Sequence, residues 1–106
     1  MESVERGETI RLEAQFKDRD AAAQDPTISQ LIRIVHEETN AIVVADAAMT
    51  DWTVPSTVAG GWIYKYKPAA NAALGVYIAQ GIGNDGATPD TSFGRVEFLV
   101  VKRLGT

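Results

Sequence analysis

The chain has 106 residues, 45% of them apolar and 23% charged, with a net charge of −4 at neutral pH. This composition suits one folded soluble domain spanning residues 1–106 and argues against general disorder. Lys and Arg are scattered among more numerous carboxylates, which disfavours nucleic-acid or anionic-membrane partners, and the absence of cysteine excludes disulfides and thiolate metal sites.

Met1 leads into Glu2, Glu5 and Glu8 rather than into a basic segment and an apolar run, so no secretory signal is read here. Residues 9–17 then alternate cleanly, with Ile10, Leu12, Ala14 and Phe16 on one face and Arg11, Glu13, Gln15 and Lys17 on the other, the two-residue period of a half-buried strand. A polar loop follows over 18–26, where Pro26 biases Asp25 toward extended backbone. Residues 28–37 carry Leu31, Ile32, Ile34 and Val35 on both faces, which predicts a central strand covered on each side, since β-branching disfavours a short helix. Asn40 tolerates turn geometry and Ile42, Val43 and Val44 resume strand character, so residues 28–45 read as a hairpin. Met49, Trp52 and Val54 suggest a short strand interrupted by Pro55, which lacks the N–H a ladder needs.

The most informative stretch comes next. In Gly60-Gly61-Trp62-Ile63-Tyr64-Lys65-Tyr66-Lys67, the three aromatic rings share one face of a strand and the lysines share the other. Residues 68–74 are alanine-rich and could form one helical turn, with Pro68 at its start and Gly75 as its stop. A strand is expected over 76–80, then an extended loop containing Gly81, Gly83, Asn84, Asp85, Gly86 and Pro89. The final strand, over 93–103, has Val96, Phe98 and Val100 on one face and Leu99 and Val101 on the other. Its apolar middle is far too short to span a bilayer. No repeat recurs at solenoid or propeller spacing. The expectation is therefore an all-β antiparallel sandwich of about seven strands around a shared core.

Several segments in this order carry a resemblance: Gly7-Glu8-Thr9-Ile10 opening the first alternating strand, Phe16-Lys17-Asp18-Arg19-Asp20, Asp25-Pro26, Ala48-Met49-Thr50, Gly61-Trp62-Ile63-Tyr64-Lys65-Tyr66 and Leu74-Gly75-Val76-Tyr77. Together they resemble the immunoglobulin-like β-sandwich modules of tailed-phage structural proteins and bacterial surface proteins. The likeness covers most of the chain. It departs from those modules at Ala21, where they commonly have Gly, and it has no cysteine pair between the sheets. By this resemblance Tyr77 is the tyrosine-corner residue, its ring in the core and its hydroxyl bonded to an upstream backbone group.

The candidate sites are few. Asp18, Asp20 and Asp25 are spaced closely enough to offer oxygen ligands to calcium, but no EF-hand pattern follows, and solvated turn carboxylates are the favoured reading. His36, the only histidine, has no sequence-evident partner for acid–base work and reads as structural or solvated. Trp52 is divided between core packing and a stacking platform for sugar, whereas Trp62, Tyr64 and Tyr66 read as core. Gly81-Ile82-Gly83-Asn84-Asp85-Gly86 lacks the third glycine and the helix of a dinucleotide site. No catalytic, cofactor-binding or metal residue is assigned.

These readings lead to an expected function. The first is a non-enzymatic structural or interaction module, as the resemblance implies of a phage or prophage virion: a capsid decoration, head–tail or tail protein. Its partners would be capsid or tail proteins, with self-association through open strand edges also compatible. The alternative is an adhesion or carbohydrate-binding module at a bacterial cell surface.

Overall fold

The computed structural model describes residues 1–16, 29–84 and 91–103. Among these residues there is no helix, and therefore none long and apolar enough to cross a membrane. Eight strands follow in chain order: β1 (Glu2–Glu5), β2 (Ile10–Gln15), β3 (Ser29–His36), β4 (Ile42–Ala48), β5 (Thr50–Asp51), β6 (Gly61–Tyr66), β7 (Gly75–Asn84) and β8 (Thr91–Val101). They form a five-stranded sheet in the order β1-β8-β7-β3-β4 and a three-stranded sheet in the order β2-β6-β5.

The alternation of β2 places Ile10 and Leu12 inward, with Phe16 fully buried just beyond the strand. Register with β6 sets Leu12 opposite Tyr64 and Ala14 opposite Trp62, so the apolar faces of both strands point the same way. From the larger sheet, Val4, Ile32, Ile34, Tyr77, Ala79, Phe98 and Val100 meet them in one cluster. This shared core gives the pair of sheets a sandwich-like arrangement. Trp62, Tyr64 and Tyr66 pack against it but remain half-buried, so the aromatic face borders the core rather than filling it.

Several expectations need correction. β1 was not legible as a strand, because Glu2, Ser3 and Glu5 leave Val4 as its only apolar residue; pairing opposite Val100 of β8 is what recruits it. That pairing is parallel, so the larger sheet is mixed rather than wholly antiparallel. The strand expected over 76–80 runs on through Asn84, with Gly81 and Gly83 in register opposite Ile32 and Gln30 of β3. Glycine weakens a strand, yet a long neighbouring ladder overrides that local preference here. Residues 68–74 form no helical turn; one hydrogen bond, from the Ala72 N–H to the Ala69 carbonyl, closes a simple turn. The short strand expected around Met49, Trp52 and Val54 shrinks to Thr50 and Asp51.

The 28–45 hairpin is present as β3 and β4, joined by a turn in which Asn40 adopts a left-handed φ of 56°. β3 is central, lying between β7 and β4, but only its inner face is covered: Ile32 and Ile34 are buried while Leu31 and Val35 are half-exposed.

Tyr77 shows the geometry that the resemblance implied. Its side chain is 1% exposed and its hydroxyl donates to the Ala73 carbonyl at 2.6 Å, tying the start of β7 to the segment before it. Tyr77→Phe removes this bond with almost no change in packing, so urea unfolding is expected to show a loss of about 1 kcal/mol; an unchanged midpoint would contradict that role for the hydroxyl.

Candidate functional site

The sandwich leaves one side open. β4 is an outer strand of the five-stranded sheet, so one of its backbone edges has no strand neighbour among the described residues. Exposed edges are usually protected by charge, bulges or irregular backbone. The second half of β4 has all three. Its register against β3 shifts between Ile32 and Ile34, Asp46 takes a left-handed φ of 55° there, and the Arg33 guanidinium clasps the Asp46 carboxylate through Nε and Nη2 at 3.1 and 3.0 Å. Both side chains are well exposed, so this pair holds the bulge's shape more than it stabilises the fold. The first half has a second register shift against β3, between Ile34 and Val35 and so spanning Val43, but it has no such charge. Ile42 is 56% exposed and Val43 is 42% exposed.

Facing this uncharged half, β6 is also incomplete on one side. β5 pairs only with Ile63 and Trp62, so among the described residues β6 continues to Tyr66 with a strand neighbour on its β2 side alone. Between the start of β4 and the end of β6 lies an open cleft of about 420 Å³, within the size range of ligand sites. Ala41 and Val43 line one side, Tyr66 and Lys67 another, and the turn before β7 contributes Ala72 and Ala73.

His36 anchors the inner end of the cleft. It is 3% exposed and lies 4.8 Å from Tyr77 between ring centroids. Nε2 is 3.0 Å from the Leu74 carbonyl and Nδ1 is 2.8 Å from the Thr39 hydroxyl. A carbonyl can only accept, so Nε2 carries a proton, and in the neutral ring Nδ1 then accepts from Thr39. With both nitrogens engaged, the ring clasps the β3–β4 turn to the segment preceding β7. Gly75 beside it has a φ of +120°, and a Cβ there would come within 3.4 Å of Nε2.

The tyrosines around this end titrate high. Burial pushes the Tyr66 phenol above its ordinary range, with Tyr77 and Tyr64 reinforcing the shift; burial also raises Tyr77, with Arg6 opposing. The unfolded chain would therefore release these protons first, beginning near pH 10. Since the unfolded state then binds fewer protons than the folded one, stability is intact below that pH and falls as pH rises through it. Urea midpoints at pH 9 and pH 10.5 test this: the drop is expected to be smaller in Tyr66→Phe, and an equal drop would contradict the assignment.

Trp52 is only partly exposed. The Arg11 guanidinium lies over its ring at 5.7 Å from the centroid, and the other contacts of the indole include Gly61, where an added Cβ would come 3.0 Å from the ring. One ring face is thus taken by Arg11. Asp18, Asp20 and Asp25 lie outside the described residues. Among the described ones, no three His, Asp or Glu side chains gather as metal ligands would.

Ile42, Val43 and Lys67 were not singled out by sequence. Ile42 and Val43 read as ordinary strand interior, because strand order, which places β4 at an edge, is a long-range property. Only the exposed apolar pair beside a free edge gives them significance.

The fold and site together define an all-β protein of two sheets with an exposed, uncharged stretch at one edge and an adjoining side cleft. Comparison with known protein families, curated proteins and solved structures finds no match to this chain.

Proposed function

We propose that this chain is an immunoglobulin-like interaction module, non-enzymatic, that docks on a larger protein assembly through the free edge of β4. The observation that carries the reading is the exposed, uncharged Ile42–Val43 pair at the unpaired edge of a five-stranded sheet. Such an edge offers main-chain donors and acceptors to an incoming strand, and the flanking side chains supply selectivity.

The strand order supports the immunoglobulin-like description. In that fold one sheet contains strands A, B, E and D and the other C, F and G, with C′ and C″ added in variable-type domains. Here β2-β6-β5 matches B, E and D, β3-β7-β8 matches C, F and G, and β4 takes the C′ position beside β3, whereas β1 departs from the A position by pairing with β8. The Tyr77 hydroxyl then sits near the start of the strand F equivalent, bonded upstream. The assembly we favour is the virion of a tailed phage or prophage, with capsid or tail proteins as partners; that part of the proposal rests on the sequence resemblance.

The test mixes purified protein with the products of the neighbouring genes and measures association by sedimentation. Binding to a capsid, head–tail or tail protein, weakened at least tenfold by Ile42→Lys without a change in melting temperature, is the expected result. Binding to a cell-surface glycan instead, or equal binding by wild type and variant, would overturn the reading.

A further inference from the structure

We propose that the side cleft receives one large apolar side chain of an extended partner segment, and that Lys67 pairs with an acidic side chain two residues away on that segment. This rests on the docking reading above and specifies the chemistry of the partner.

Two strand edges meet at the cleft, that of β4 and that of the end of β6. An extended segment entering beside the start of β4 would present alternate side chains to the same face, about 6.8 Å apart. One of these would meet the cleft, whose β4 side is formed by Ala41 and Val43 and whose other side includes Tyr66. A space of about 420 Å³ holds a leucine or phenylalanine side chain with room for its backbone. A second side chain on that face would then reach the Lys67 side of the opening.

Lys67 supplies the charge preference. It is exposed, it lines the cleft, and its ammonium has no ion pair or hydrogen bond among the described residues. The arginines nearby in the fold differ: Arg33 is committed to Asp46, Arg11 lies beside Glu13 and over Trp52, and Arg6 donates to the Ala72 carbonyl. A cation without a partner at the mouth of an apolar recess favours a ligand that is apolar at one position and anionic at the next on that face. Neutral or basic segments would leave Lys67 unpaired or repelled.

A random capped octapeptide library displayed on yeast, selected in parallel against wild type, Lys67→Glu and Val43→Asp, tests the proposal. Both sites are exposed, and thermal melts confirm that the variants fold. Wild type is expected to enrich clones with Asp or Glu two positions from a large apolar residue; Lys67→Glu should shift that position to Lys or Arg, and Val43→Asp should lower affinity for the wild-type clones at least tenfold. No enrichment on wild type, or the same clones at the same affinity on Lys67→Glu, would overturn it. Concentration-dependent self-association abolished by Val43→Asp would overturn it as well, since the occupant would then be a second copy. The two proposals fail separately. If an assembly protein binds in a manner sensitive to Ile42→Lys but not to the cleft variants, the cleft assignment falls alone; if the peptide preference emerges but no assembly protein binds, the virion reading falls alone.

Discussion

Phe98→Ala is expected to lower stability by about 3–5 kcal/mol, a large part of the margin of a domain this size. Phe98 is fully buried in β8, and its ring stacks on Tyr77 of β7 with centroids 5.5 Å apart and planes 16° from parallel. It also meets Tyr66 of the opposite sheet edge-on, at 6.0 Å and 61°. The side chain therefore joins two neighbours within one sheet and bridges to the other. Removing it forfeits the transfer of a whole aromatic ring and leaves a void between sheets that side chains on strands can fill only partially. Urea unfolding followed by circular dichroism is the measurement. A loss below about 1 kcal/mol would mean that the two sheets do not share this core.

His36→Ala is expected to cost about 2–3 kcal/mol. The ring is buried, it contacts Tyr77, and through its two nitrogens it joins the Thr39 hydroxyl to the Leu74 carbonyl, far along the chain. Leu74 and Thr39 are exposed residues, so water can satisfy the released carbonyl and hydroxyl in part, which keeps the cost below that of a deep core deletion. The loss should be local. Amide exchange should accelerate in the turn after β3 and in the segment before β7, while β1 and the far end of β8 stay protected. His36→Gln, which retains an acceptor and a donor, should recover part of the stability. Uniform destabilisation with no change at the turn would contradict the clasp.

The sequence made the two-residue period readable wherever one face was consistently apolar. Ile10, Leu12 and Phe16 declared β2, and Trp62, Tyr64 and Tyr66 declared β6, because alternation is a local property that burial on one side enforces. Asn40 marked its turn for an equally local reason, its tolerance of positive φ. What escaped was non-local. Val4 alone could not announce β1, whose partner β8 lies at the other end of the chain. Gly81 and Gly83 looked like loop residues until the β3 ladder held them extended. The site was the least legible part. Ile42 and Val43 resemble any buried strand pair, and their exposure follows from strand order. Lys67 matters only because β5 stops after Asp51 and leaves the end of β6 uncovered. Trp52 was divided between core packing and stacking, and Arg11, far from it in sequence, lies over its ring.

The stability predictions and the docking proposal share a physical basis: a core strong enough to hold two sheets of unequal size, with the shorter one leaving part of the larger one's margin unguarded. The Ile42→Lys and Val43→Asp variants keep that core intact while altering the margin, so they separate folding from recognition.

Hydrogen exchange measured by mass spectrometry on the free protein and on its mixture with the products of the neighbouring genes tests the central claim most directly. The account predicts that the amides between Ile42 and Val44 that point away from β3 exchange readily in the free protein and become protected in the complex, as an added strand pairs with that edge. A complex that protects other surfaces while leaving these amides unchanged would contradict it.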